Sequence, residues 1–142
     1  MRRYKLLDHV GDAYIAAYGS SLEEAFENAA LGMFNVMTDT TRIRKLIKDK
    51  VTVEAENERS LLHDWLSKLH LKFEIEGKLF SSFKVHRIDR HNRSFRLTGE
   101  AYGELFDSKR HPSKTEVKAV TYHRMEVAES RGKWVAKFIL DL

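Results

Sequence analysis

The chain has 142 residues, of which 42% are hydrophobic, with a formal net charge of +4 and no cysteine. This length predicts a single domain over residues 1–142 with enough apolar side chains for a full core. The lack of cysteine excludes disulfides, thiol catalysis and cysteine-ligated zinc. No apolar run approaches the roughly 20 residues of a membrane span, and the start of the chain has no signal-peptide pattern. We therefore expect a cytoplasmic protein with no membrane partner.

The positive charge is accompanied by many acidic residues, and charged residues make up 32% of the chain. A basic protein of this kind often binds nucleic acid. Both signs are interleaved along the sequence, however, and no single block of basic residues stands out. This pattern favours an ordinary solvated surface over a nucleic-acid interface.

Two short strands and a helix open the predicted fold. Strand patterns at 4–7 and 14–18 are separated by a polar turn at 8–12. Ser21 followed by Glu24 is a capping box, which predicts a helix start. Apolar residues recur along this helix at helical spacing, namely Leu22, Phe26, Ala29, Ala30, Met33, Phe34 and Met37.

The middle of the chain contains a second predicted helix. Residues 38–41 form a turn, and the basic stretch 42–50 is expected to be irregular or a frayed helical turn. A strand follows at 51–55. Asn57 caps a helix that runs to about Ile75 and is stopped by Gly77.

The remainder is predicted to be all β. Strands at 79–88 and 94–102 form a hairpin, a polar loop covers 105–113, and a closing hairpin turns at 130–132. The element order is β-β-α-β-α-β-β-β-β. This order predicts an α+β fold in which a mostly antiparallel β-sheet carries two amphipathic helices on one side.

Two negative charges follow the last predicted strand, which is almost wholly apolar from Trp134 to Leu140. They are the side chain of Asp141 and the terminal carboxylate of Leu142. Because burying an unpaired charge costs several kcal/mol, either a cation lies there or the end reaches water. Carboxylate and carbonyl oxygens of Asp141, Leu142 and Asp12 are ligands that Ca²⁺ and Mg²⁺ prefer. Solvated carboxylates at a frayed end are the alternative.

Asp8 is a weaker candidate ligand than Asp12. In a straight strand the two lie about 13 Å apart, too far to share one ion, unless Gly11 bends the chain. His9, beside these carboxylates, and His123 on a later strand are residue types of general-base pairs. No G-x-S-x-G motif or paired-histidine zinc spacing accompanies them.

Strict strand alternation places His123 on an apolar face with Val117, Met125 and Val127. A histidine in that position is usually a hydrogen-bonded core residue. Near it in sequence, the loop residues Lys109, Arg110, His111 and Lys114 are suited to hold a phosphate or an acidic partner. A solvated loop is the other interpretation, and no glycine-rich phosphate loop is present.

Three stretches of the sequence resemble the archease family. They are DHVGDAYIAAYGSSLEEAFENAALGMFNVMTDT, LLHDWLSKLHLKFEIEGKLFSSFKV, and EVKAVTYHRMEV followed by WVAKFILDL. The resemblance covers nearly the whole chain in order, and its most specific parts are EVKAVTYH and the ILDL ending.

This resemblance implies a non-catalytic activator of the GTP-dependent tRNA-splicing RNA ligase. The ligase would be its protein partner, and the activator would contact RNA only indirectly, through the ligase. Archeases promote guanylylation and multiple turnover of that ligase. The resemblance also implies a divalent-cation site, most often Ca²⁺ with Mg²⁺ or Mn²⁺ as alternatives, on Asp12, Asp141 and the carbonyl of Leu142. Asp8, His9, Lys114 and His123 then become candidates for supporting that site or contacting the partner.

The front motif departs from the family pattern H-T-A-D-[VI]-G. Here it reads His9-Val10-Gly11-Asp12-Ala13-Tyr14, so the threonine hydroxyl is lost and glycine replaces alanine. If that hydroxyl positions Asp12, cation affinity is expected to be weaker in this chain.

Two other functions remain open. An RNA-binding accessory module in tRNA processing or modification predicts tight RNA binding that falls steeply with salt, whereas an activator predicts weak RNA binding. A small hydrolase using His9, Asp12 and His123 predicts turnover by the protein alone.

Overall fold

The structure is a computed structural model that describes residues 2–7 and 11–142. Within these residues, seven strands form two antiparallel sheets. The four-stranded sheet has the order β1 (Tyr4–Leu7), β2 (Asp12–Gly19), β7 (Lys133–Asp141) and β6 (Ala119–Ser130). The three-stranded sheet has the order β3 (Ile47–Ala55), β5 (Ser94–Leu105) and β4 (Lys78–His91).

Two helices connect the sheets through one core. α1 (Leu22–Met37) contacts β2 and β7 of one sheet and β4 of the other, and α2 (Glu58–Glu76) contacts β6 and β3. Fully buried side chains from both sheets and both helices meet between them, including Ile15, Phe26, Trp65, Phe80 and Phe138. The α+β class, the element order and the antiparallel pairing are confirmed, but two sheets replace the single predicted sheet.

The helix ends follow the sequence signals. The Ser21 hydroxyl accepts the Glu24 backbone N–H at 3.1 Å, and the Asn57 side chain accepts the Ser60 N–H at 2.8 Å. Gly77 ends α2 with φ of 69°, a conformation that favours glycine. No helix within residues 2–7 and 11–142 is long and apolar enough to cross a membrane.

The prediction that 42–50 is irregular was wrong for its last four residues. β3 begins at Ile47, and its inward position two residues later holds Asp49 instead of an apolar side chain. The Asp49 carboxylate is bound by the ammonium groups of Lys72 and Lys78, both at 3.0 Å. This partly buried ion cluster hides the alternation by which a strand is recognised in sequence.

The placement of His123 on the apolar face was also wrong. The pairing of β6 with β7 is interrupted between Thr121 and Glu126, and Arg124 has φ of 55°. Such a bulge breaks the alternation of side chains between the two faces. As a result Met125 is buried while His123 is exposed.

Candidate metal site at the end of the four-stranded sheet

Asp12 and Asp141 are direct partners in the pairing of β2 with β7. Residues directly opposite in an antiparallel pair project from the same face, with Cβ atoms about 4.5–5.5 Å apart. The next residues, Ala13 and Leu140, pack into the core, so both carboxylates lie on the face away from the helices. Like charges in this arrangement are destabilising, which makes the pair a favourable place for a cation.

The end of the chain is held in place, unlike a frayed terminus. The Asp141 carbonyl accepts the Lys118 backbone N–H at 2.7 Å, and the Leu142 side chain packs against the core. The Val117 carbonyl, one residue earlier, is bonded to His70 Nε2 on α2 at 2.7 Å. The last strand, the segment before β6 and α2 therefore fix one another around the carboxylates.

Lys114 lies at the same end of the molecule. Asp12, Leu142 and Lys114 line one pocket of about 320 Å³ beside the C-terminal turns of α1. The Lys114 ammonium donates to the Asn35 carbonyl at 2.6 Å, and its backbone N–H donates to the Met37 carbonyl at 3.0 Å. A cation at the C-terminus of a helix is favourable, so this lysine closes α1 while facing the pocket.

The donor set fits a hard cation but is incomplete. Asp12, Asp141 and the Leu142 carbonyl supply oxygens, whereas Ca²⁺ takes six to eight. Within 2–7 and 11–142 no group of three His, Cys, Asp or Glu side chains is arranged to hold a metal. Water or a partner protein would have to supply the remaining ligands. Asp8 and His9 lie outside the described residues.

Gly11, directly before β2, has a backbone conformation that favours glycine. Its φ is +80°, a value that side-chain-bearing residues rarely adopt, and a Cβ there would meet no atom within 4 Å. Glycine at this position therefore lets the chain turn immediately before Asp12 enters β2.

Glu104 is a buried carboxylate with several charged partners, and the sequence did not single it out. The residue is 5% exposed, and its carboxylate accepts hydrogen bonds from the Arg44 backbone N–H at 2.7 Å, from Arg110 at 2.7 Å and from His111 at 2.9 Å. Burial alone would raise the pKa of Glu104, but these hydrogen bonds, with another from the Arg44 side chain, lower it to about 2.

Two of the predicted phosphate-binding residues are therefore used internally. Arg110 and His111 anchor the loop after β5 to Glu104, and the Asp107 N–H donates to His111 Nδ1 at 2.9 Å. His111 thus carries its proton on Nε2, facing the carboxylate. Only Lys109 and Lys114 of the predicted basic set keep exposed side chains.

Fold and site together define a compact α+β domain with an acidic, oxygen-rich end. The chain belongs to the archease family, because the model of the Archease protein family matches residues 4–142. A protein archease from Methanothermobacter thermautotrophicus is 44% identical over 142 residues, covering 100% of both chains. One from Methanosarcina barkeri is 40% identical over 141 residues, covering 99% of this chain and 97% of its own.

Solved structures agree with this assignment. The solution structure of Methanobacterium thermoautotrophicum protein 1598 is 40% identical with a TM-score of 0.84, and the match covers 100% of each chain. The crystal structure of an archease, described as a possible chaperone, from Thermotoga maritima is 21% identical with a TM-score of 0.58. That match covers 100% of this chain and 98% of the other, and it shows a shared fold.

Proposed function

We propose that this protein activates the GTP-dependent RNA ligase that joins tRNA exon halves, promoting ligase guanylylation and multiple turnover. Membership of the archease family over the whole length supports this proposal. The observation that carries it is the pairing of Asp12 with Asp141 on an outer sheet face. Asp141 is exposed, so a partner protein can reach its carboxylate.

In this proposal Asp12, Asp141 and the Leu142 carbonyl hold a divalent cation, with Ca²⁺ preferred and Mg²⁺ or Mn²⁺ as alternatives. When bound, the cation would neutralise the two facing carboxylates. The chain itself performs no chemistry and acts as an accessory protein. The description of the Thermotoga relative as a possible chaperone points in the same direction.

The acidic end can act in two ways. Asp141 can contact the ligase directly, near the metal centre that nucleotidyl transfer requires. Alternatively, the Asp12–Asp141 pair only stiffens the end of the sheet, and another surface contacts the ligase. Asp141→Asn separates these cases because the amide keeps the size of the side chain and removes its charge.

The test is ligation of a pair of tRNA halves in excess over the RNA ligase from the same source. We expect the native protein to convert a stalled ligase into a multiple-turnover enzyme. Asp141→Asn is expected to lose at least tenfold of that stimulation, about 1.4 kcal/mol in activation free energy. If stimulation is lost although the variant melts at the same temperature as the native protein in the Ca²⁺ of the assay, direct contact is supported.

Glu129→Gln is the matched control, because it removes one exposed carboxylate from the other end of the same sheet. This variant should stimulate the ligase as strongly as the native protein does. A native protein that leaves ligation unchanged, while the ligase binds its substrates, would contradict the proposal. Tight RNA binding by the protein alone, without any effect on the ligase, would favour the alternative of an RNA-binding accessory module.

A further inference from the structure

Two short segments of the protein are strongly basic, residues 42–50 and residues 84–96. Residues 84–96 contain five of the 25 Lys and Arg residues and only one of the 21 Asp and Glu residues. The segment therefore carries +4, which equals the formal charge of the whole chain, and the other residues sum to zero. Residues 42–50 also carry +4, but there Arg44 and Lys48 are paired with Glu104 and Glu100.

Residues 84–96 form the end of the β4–β5 hairpin. His91 pairs with Ser94, so the two-residue turn is Asn92-Arg93, with Asn92 at φ of 56°. We call residues 87–96 the basic hairpin. Its four arginines are all exposed, and they are Arg87, Arg90, Arg93 and Arg96.

The arginines surround the hairpin on both faces. Arg96 is opposite Asp89 and shares the outer face with it, whereas Arg90 is opposite Phe95, whose ring packs against the core. The Arg90 guanidinium lies 5.8 Å from the centre of that ring. Stacking on an aromatic ring holds a guanidinium in place while leaving its N–H groups available to a ligand.

Most of this charge is not neutralised locally. Arg87 and Asp89 form an exposed ion pair at 2.8 Å, and Arg96 approaches Glu54 at 3.8 Å. Exposed pairs of this kind are weak. Within residues 2–7 and 11–142, no carboxylate forms an ion pair with Arg90 or Arg93. The tip therefore presents guanidinium groups that are ready for an anionic partner.

The basic hairpin lies at the opposite end of the molecule from Asp12 and Asp141. β4 runs antiparallel to α1, with Phe83 stacked on Phe34 and the Val85 N–H bonded to Glu27. Later residues of β4 thus pass the N-terminus of α1, whereas Asp12 lies beside its C-terminal turns. The 16 residues of α1 separate the two ends by about 24 Å.

We propose that the basic hairpin binds the phosphodiester backbone of RNA. Arginine forms bidentate hydrogen bonds with phosphate oxygens, and a tip with cations on both faces suits a flexible strand better than a flat acidic protein surface. The choice of RNA over DNA rests on the proposed function. Phe95, the aromatic residue of the basic hairpin, packs against the core, so base stacking on it is not expected and binding should be independent of sequence.

Four phosphate contacts predict weak, salt-sensitive binding. Non-specific complexes have dissociation constants of about 10⁻⁴ to 10⁻⁶ M, and four contacts to a single strand give a slope of about −3 for log K against log salt. This affinity is compatible with an activator that keeps RNA near a ligase.

The test is fluorescence anisotropy of a labelled 20-nucleotide uridine RNA titrated with the full chain between 50 and 200 mM KCl. Arg90→Gln/Arg93→Gln is expected to bind about tenfold more weakly at 50 mM KCl and to halve the salt slope. The control, Lys5→Gln/Lys45→Gln, removes the same charge from exposed positions elsewhere and should bind like the native protein. Arg93→Gln alone serves if the double variant melts at a lower temperature.

Equal weakening by the control would overturn the proposal, since net charge alone would then explain binding. An absence of RNA binding at 100 µM protein would also overturn the proposal. A 20-residue polyglutamate peptide is also tested as a competitor of the labelled RNA. If it competes as effectively as unlabelled RNA, the partner of the basic hairpin is an acidic protein instead. Tighter binding of the thymidine DNA 20-mer would overturn the choice of RNA. No ligase is present, so these outcomes are independent of the ligation test.

Discussion

Glu104 shows how one side chain links stability to pH. Its pKa is about 2 in the folded protein and about 4.5 without its partners, so the unfolded state binds the proton more readily. The carboxylate therefore stabilises the fold above pH 4.5, and that contribution is lost as pH falls toward 2. Because Arg44 and Arg110 are partly exposed, solvent screening reduces the effect to about 2 kcal/mol.

Glu104→Gln is expected to lower the free energy of unfolding by about 2 kcal/mol at pH 7, since it leaves buried donors without their charged acceptor. Urea titrations at pH 7 and pH 3 measure this directly. The difference between native and variant protein should shrink at the lower pH. An equal difference at both values would show that the charge of Glu104 is unimportant.

Asp12 and Asp141 provide a second residue-scale prediction. In EDTA, Asp141→Asn should melt at the same temperature as the native protein or slightly higher, because it removes a repulsion of about 0.2–1 kcal/mol. Adding Ca²⁺ should raise the melting temperature of the native protein and leave that of the variant unchanged. Equal Ca²⁺ responses in both would place the cation elsewhere.

At the scale of elements, one glycine fixes how β4 and β5 meet. A Cβ on Gly103 would lie 1.8 Å from the Leu79 carbonyl oxygen, beside the register shift between Phe80 and Ser82. Backbone atoms cannot move aside as a flexible side chain can. Gly103→Ala is therefore expected to cost about 3 kcal/mol or more in urea unfolding. A loss below 1 kcal/mol would mean that the bulge rearranges easily.

The helices could be predicted from sequence because their signals are local. Ser21, Asn57 and Gly77 set their ends through neighbours within five residues. The start of β3 and the bulge in β6 could not be predicted in this way. Asp49 is inward because lysines of α2 and β4 reach it, and the turn at Arg124 interrupts a strand that reads as continuous.

The candidate metal site was predicted in part. A carboxylate after a buried strand drew attention to Asp141, but its position opposite Asp12 depends on the pairing of the second strand with the last. Such long-range pairing is set by packing of the whole core, not by nearby residues. Glu104 gave no signal because its partners come from two separate loops, at Arg44 and at 110–111.

At the scale of the whole molecule, α1 and α2 join two sheets into a body with two chemically different ends. The acidic pair lies at one end and the basic hairpin at the other. This polarity suits an accessory protein that contacts two components of one assembly at once. It also means that variants of either end can be compared without a direct electrostatic effect on the other, because about 24 Å exceeds the Debye length of roughly 8–10 Å.

The net charge carried by residues 84–96 also affects how copies of the protein behave toward one another. The sequence isoelectric point of about 9.3 depends on this excess. Replacing all four hairpin arginines with glutamine would leave a chain with no net charge near neutral pH. Mutual repulsion between molecules would then vanish, and the solubility minimum would move into the physiological pH range. The hairpin therefore also acts as the colloidal stabiliser of an otherwise neutral domain.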